Sequence, residues 1–194
     1  FGSVFVNGVR YDISNATLVK DGQPATQADL AVGQVAVVKG SADSNGGNGK
    51  ASRVEVENNV IGPIKSIDTA NNKLLVLGQN VTVSSATSFS SNITPTGLAG
   101  LAAGDRIEVS GIAAANGDIA ASRIEKEAGS SFQAVGVVSN LNTTVHTFSI
   151  NGLTVNYTTA IVDGFTAGQP AAGDIVAVRG TAFDATTTTL TATR

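Results

Sequence analysis

Gly33-Gln34-Val35-Ala36-Val37-Val38-Lys39-Gly40, Gly104-Asp105-Arg106-Ile107-Glu108-Val109-Ser110-Gly111 and Gly173-Asp174-Ile175-Val176-Ala177-Val178-Arg179-Gly180 are three versions of one eight-residue segment. Each is a glycine-bounded run whose alternation has the period of a strand, with side chains turned to opposite faces at successive residues. The first glycine recurs 71 and then 69 residues further on. A second landmark follows each copy, at Lys50-Ala51-Ser52-Arg53, Ala120-Ala121-Ser122-Arg123 and Thr191-Ala192-Thr193-Arg194. A third precedes each, at Val4-Phe5-Val6-Asn7-Gly8, Leu75-Val76-Leu77-Gly78 and Thr147-Phe148-Ser149-Ile150-Asn151-Gly152. Three landmarks in constant order at one period define a tandem array.

The array divides into modules at 1–58, 59–129 and 130–194, each with a net charge of −1 and with no Pro-rich or Ser-rich linker between them. The middle copy reads as five strands. These run from Ile61 to Ile67, Lys73 to Leu77, Val81 to Val83, Arg106 to Val109 and Ile119 to Ile124. Asp68-Thr69-Ala70-Asn71-Asn72 and Asn116-Gly117-Asp118 supply the turns, and Gly97 to Ala103 gives at most a short helical turn. Five strands with a helical turn between the third and fourth is the order of a small OB-like barrel. The expected class is therefore all-β, with three tandem five-stranded OB-like modules.

Phe1-Gly2-Ser3-Val4-Phe5-Val6-Asn7-Gly8-Val9-Arg10-Tyr11, the Leu-x-x-Gly-Asp-x-x-x-Val-x-Gly pattern at 101–111 and the Ala-Ser-Arg endings resemble the DUF5666 family. The resemblance spans essentially the whole chain, three times over. It implies bacterial, extracytoplasmic, repeated β-domains and no catalytic residue to carry over.

The first copy departs from the pattern. The second and third have a strand ahead of their second strand, at Ile61–Ile67 and at Ala134–Val138, whereas the first begins at Phe1, inside or just before its second strand. A five-stranded barrel lacking one strand leaves unpaired backbone groups beside an apolar groove, lined here by Val4, Phe5 and Val6. Removal of upstream residues, another segment of the same chain, or a strand from a neighbouring subunit would each account for it. Aligned by their glycines, the central strands place Ala36 and Val38, Ile107 and Val109, and Val176 and Val178 inward. Val35 and Val37, Arg106 and Glu108, and Ile175 and Ala177 then face outward. The middle copy has the charged outer face of a solvated strand. The outer copies carry Val35, Val37 and Ile175 there, either packed against a neighbouring module or serving as sticky faces for head-to-tail association.

Composition removes most chemistries. There is no Cys and only one His, His146, so thiolate chemistry and His-based metal clusters are out, and no cofactor is expected. A charge of −3 and 5% aromatic residues argue against a nucleic-acid partner. No apolar run is long enough to span a bilayer, and no signal peptide is present. With no Met, Phe1 is not a translational start, so residues 1–194 read as a mature product or a fragment. Richness in Gly, Ala, Thr, Ser and Asn suits a protein of the periplasm, cell surface or exterior. The loop Asp43-Ser44-Asn45-Gly46-Gly47-Asn48-Gly49 reads as a hairpin tip rather than a calcium loop, because it lacks the closing acidic residue. His146 reads as a solvent-facing strand residue, and the pairs Glu55/Glu57 and Glu125/Glu127 as rim charges rather than a glycosidase couple. Arg53, Arg123 and Arg194 recur in register. They would either clamp an anionic ligand or pair locally with their stems along the sheet. Tyr11 and Tyr157, read as matching third-strand positions, are the amphipathic aromatics available for a glycan.

These observations predict a non-catalytic structural subunit that self-associates, a filament subunit joined by strand complementation. Its interface would use Val4, Phe5, Val6, Val35, Val37 and Ile175. The alternative is a monomeric periplasmic or surface-tethered module binding a glycan or another protein through Tyr11, Tyr157, Arg53, Arg123 and Arg194.

Overall fold

The computed structural model describes residues 2–194; Phe1, the first residue of the family-like segment, lies outside them. The chain is all-β, and among the described residues 3-10 turns occur only at Gln27–Asp29 and Leu98–Gly100. It forms two compact units that divide between Asn58 and Asn59. Residues 59–129 and 130–194 lie together in the second unit.

The first unit contains β1 (Ser3–Val6), β2 (Val9–Asp12), β3 (Thr17–Lys20), β4 (Gln23–Pro24), β5 (Ala36–Ala42) and β6 (Asn48–Val56). β6 is its hub. It runs parallel to β2 through Asn48–Lys50, parallel to β3 through Arg53–Val56, and antiparallel to β5 along most of its length. Among the described residues β1 pairs only with β2, and β5 only with β6.

The second unit continues with β7 (Val60–Asp68), β8 (Lys73–Val76), β9 (Gln79–Thr82), β10 (Ser88–Phe89), β11 (Arg106–Ala113) and β12 (Ile119–Lys126). It ends with β13 (Phe132–Val137), β14 (Ser139–Asn142), β15 (Thr147–Ile150), β16 (Leu153–Asn156), β17 (Ile175–Asp184) and β18 (Thr189–Ala192). β7 pairs with β8, β8 with β9, β9 in parallel with β12, β12 with β11, and β11 back with β7, which closes a ring. The third module repeats this with its first strand broken at Val138. β13 pairs with β17 and β14 with β15, and the circuit returns through β16 and β18. The two rings are stitched by Gln133 and Ala134 of β13 against Ile61 and Val60 of β7, so the sheet runs on from one to the other.

The terminal glycine of each central strand has a steric cause. Register shifts at Lys39/Gly40, Ser110/Gly111 and Gly180/Ala182 mark a bulge in every module. At Gly40, Gly111 and Gly180 a Cβ would run into the carbonyl oxygens of Lys50, Ala120 and Thr191. Only glycine lets the partner backbone come that close. The residue after the opening glycine acts as a clamp. The carboxylates of Asp105 and Asp174 accept the backbone N–H of Ala102 at 2.9 Å and of Ala171 at 2.8 Å. Gln34 does the same for Ala31 at 2.8 Å without a charge.

That clamp makes part of the stability acid-sensitive. The Ala102 N–H, and after it the Lys126 ammonium 3.0 Å away, hold Asp105 below its ordinary 3.8. A carboxyl whose folded pKa is lowered stabilises the fold fully above its unfolded value. The contribution is lost as pH falls through the lower folded value. Urea titrations should show the second unit weakening below about pH 4, with a shallower fall for Asp105→Asn. An unchanged acid profile in that variant would remove the clamp from the account.

The two rings enclose full cores. Val60, Ile64, Val76, Val81, Ile107, Val109, Ile119 and Ile124 are essentially inaccessible in one. Ala134, Ile150, Leu153, Val155 and Leu190 are so in the other. The first unit buries only Ile13, Leu18, Ala51 and Val54 in its main cluster, with Val4, Tyr11, Ala36 and Val38 half-buried around them.

Candidate functional site: the open edge of the first unit

The strand register makes the three modules comparable residue by residue. Val4 corresponds to Leu74 and Phe148, Ala36 to Ile107 and Val176, and Val38 to Val109 and Val178. In the second unit all six counterparts are buried. In the first unit the same inward positions are half-exposed. The difference lies in what stands between the central strand and the second strand. β7 fills that place in the second module and β13 with β14 in the third, while between β5 and β1 no strand is found among the described residues.

The residues expected at an assembly surface therefore sit as follows. Val4 packs against the small core, Val6 is half-buried, and Phe5 is 73% exposed. Val35 immediately precedes β5 and is half-buried; Val37, opposite Glu55, is 60% exposed. These five lie on or beside the two unpaired edges. Ile175 belongs to the other unit, where it forms an exposed cross-strand pair with Val137. It is part of a separate apolar patch.

The middle module's outer face differs from the solvated surface expected. The Arg106 side chain is only 20% exposed. Its guanidinium lies 4.6 Å above the Phe132 ring, bonds Glu127 at 3.2 Å and donates to the Ser131 carbonyl. The start of the third module has settled on it, as the cation–π contact shows.

The residues proposed for a ligand do not converge. Tyr157 is 5% exposed and packs on Phe148 and His146 with ring centroids 5.5 and 5.4 Å away, so it presents no face to a sugar. Nor does it match Tyr11. Counting from the turn glycines, Tyr11 corresponds to Val155, and Tyr157 to Ile13. Tyr11 is a space-filler, because its partner across the sheet is Gly49, where a Cβ would come within 2.8 Å of the ring. The corresponding pairs are Val81 with Ile119 and Val155 with Leu190, so a large residue has moved from one strand to its neighbour. Tyr11→Ala should lower the first unit's stability by about 2 kcal/mol, less than truncation of a fully buried aromatic because the site is half-exposed. Urea denaturation measures it; no loss would make Tyr11 a surface residue free for recognition.

The recurrent arginines pair locally. Arg53 meets Glu55 at 3.2 Å, Arg123 meets Glu125 at 2.8 Å and the Ser88 hydroxyl at 3.2 Å, and Arg194 meets Asp163 at 2.6 Å. Glu127 is held by Arg106 and Glu57 lies past the end of β6, so the carboxylates do not form couples on one strand face. His146 is exposed as expected, but sits in the turn before β15 with φ +53° rather than on a strand. The 43–49 loop is a hairpin tip, closed by the Asp43 N–H donating to the Asn48 carbonyl. Among the described residues no group of three His, Asp or Glu side chains could hold a metal ion, and no helix is long and apolar enough to cross a membrane.

Sequence reasoning passed over the joint inside the second unit. Gln79 is fully buried and donates to the Leu77 and Ile150 carbonyls at 3.1 and 2.9 Å, while its own carbonyl accepts Asn151 Nδ2 at 2.7 Å. The Gly152 N–H donates to the Gly78 carbonyl at 3.1 Å. A Gln after a turn glycine, where the other modules have Val9 and Leu153, was the available signal.

Fold and edges together define a tandem-repeat, all-β protein in whose first copy β1 and β5 each pair on one side only among the described residues. The chain belongs to the family described as Domain of unknown function (DUF5666), which matches residues 2–55, 61–125 and 135–194. A search of curated proteins finds no match.

Proposed function

We propose that the protein is a non-catalytic structural subunit of an extracytoplasmic assembly, a filament subunit whose OB-like modules join through strand complementation. One observation carries this reading. The inward residues Val4, Ala36 and Val38 are half-exposed in the first unit, while their counterparts in both closed rings are buried. A sheet edge with an uncovered core beside it gains both backbone pairing and apolar burial when a strand is added. The exposed pair Ile175 and Val137 offers a second contact patch. The ring order in the second unit, with its first strand between second and fourth and its third parallel to its fifth, supports the OB-like assignment. A composition rich in small polar residues supports a site outside the cytoplasm. Arginine-bound carboxylates and a buried Tyr157 favour architecture over catalysis or glycan binding.

The test is Val35→Asp combined with Val37→Lys. Charges set beside the unpaired edge should weaken association by about 100-fold or more, since a charge desolvated without a partner costs several kcal/mol. Light scattering reads the association, and circular dichroism should show an unchanged β-spectrum. Oligomers that persist in the folded variant would refute the reading.

A further inference from the structure

The second module carries an open pocket of about 430 Å³, a size ordinary for small-molecule sites. Val83, Phe89 and Leu98 form its floor, half-buried and packed against the closed core. Thr69, Asn72 and Ser85 form its exposed rim, and no charged side chain lines it among the described residues. The segments that carry these residues are tied down. The Asp68 carboxylate accepts the Asn71 backbone N–H at 3.1 Å and its side-chain amide at 2.7 Å, which closes the turn bearing Thr69 and Asn72. The Ser84 N–H donates to the Thr87 hydroxyl at 3.0 Å, and that buried hydroxyl donates to the Ala121 carbonyl at 2.7 Å. The N–H groups of Gly100 and Leu101 donate to the Gly97 and Leu98 carbonyls at 3.1 Å, fixing the 3-10 turn that bears Leu98. The side chains of Thr69, Asn72 and Ser85 themselves make no hydrogen bond among the described residues.

The third module shows what the same place holds when the chain fills it. Asn72 and Val83 correspond to His146 and Tyr157. Asn72 and His146 both have φ +53°, and their carbonyls accept the N–H of Val83 and of Tyr157, each at 2.9 Å. His146 and Tyr157 set two rings edge to face with centroids 5.4 Å apart, and Tyr157 is 5% exposed. Where the third module has two six- and five-membered rings of its own, the second has an amide, a valine and a pocket.

We infer that this pocket binds one ring of a neutral sugar, a hexopyranoside unit, with its carbon face on Phe89 and Leu98 and its hydroxyls on Thr69, Asn72 and Ser85. A charged ligand would lose water here and gain no counter-ion. A wholly apolar one would set carbon against the polar rim. A pyranose has one face of C–H groups and an edge of hydroxyls that both donate and accept, as do the hydroxyls and the amide of the rim. The site shares no residue with Tyr11, Tyr157 or the recurrent arginines, and it stands independently of the assembly reading.

Titration of the full chain with methyl glucoside, galactoside and mannoside, followed by amide chemical shifts, tests this. At least one should bind with a Kd of about 1 mM, the affinity open sites give a ligand of this size. Its shifts should cluster at residues 69–72, 83–85 and 97–99, and sodium glucuronate should bind about tenfold more weakly. Asn72→His combined with Val83→Tyr copies the third module and should weaken binding at least tenfold by filling the pocket. If that variant does not fold, Thr69→Val with Ser85→Ala, both at exposed positions, should still weaken binding about tenfold. No saturation up to about 50 mM of any glycoside, shifts scattered over the surface, or full binding by a folded variant overturns the site. Glucuronate binding as tightly as the neutral sugars overturns the ligand class.

Discussion

Gly78→Val is expected to destabilise the second unit by about 4 kcal/mol or more. Gly78 has φ +72°, a region costly to any β-branched residue. Its Cβ would lie 2.5 Å from the Gly152 carbonyl carbon and 2.6 Å from the Leu153 nitrogen. Both are backbone atoms of the next module, so no rotamer change relieves the contact and the two turns must part. Separation costs the hydrogen bond from Gly152 to Gly78 and loosens the β7–β13 pairing nearby. At Gly117, with φ +85°, the nearest atoms to a Cβ belong to the Asn151 side-chain amide, which can turn aside at the loss of its bond to Gln79. Gly117→Ala should therefore cost about 2 kcal/mol. Denaturant titration separates the two, and equal losses would mean that strain alone, not the backbone contact, governs the site.

The second large effect is expected from Gln79→Leu, at about 3 kcal/mol. The substitution adds apolar burial but removes a donor from the Ile150 carbonyl and an acceptor from the Asn151 amide, and unpaired buried polar groups cost about 1–3 kcal/mol each. Val9 and Leu153 occupy the same position in the other modules, so the position accepts an aliphatic. The loss should fall on the joint. Calorimetry should show the second unit's single transition splitting into two as its modules uncouple. A single transition with an unchanged midpoint would show that the β7–β13 pairing alone holds the joint.

What the sequence revealed follows from which constraints are local. The bulge glycines Gly40, Gly111 and Gly180 must recur because a backbone carbonyl presses on each, so the period stands out even where few other residues match. The alternation of Ala36, Val38, Ile107, Val109, Val176 and Val178 fixed the inward face correctly for the same local reason. The joint was hidden because it links residues about 70 positions apart, such as Gln79 and Ile150, through side chains ordinary in isolation. Arg106 read as solvated because nothing nearby announces that Phe132 will cover it. Tyr11 and Tyr157 were misaligned for another reason. Their shared residue type outweighed a two-residue offset that only the pairing of Tyr11 with Gly49, and of Val155 with Leu190, reveals. The half-exposure of Val4, Ala36 and Val38 needed the structure.

The account stands or falls on what lies between β5 and β1 in native material. Electron cryomicroscopy of the native assembly resolves it directly. The predicted result is an ordered polymer in which a strand of a second chain lies beside β5 near Val37. Dispersed monomers in which a segment of the same chain closes that edge would contradict it.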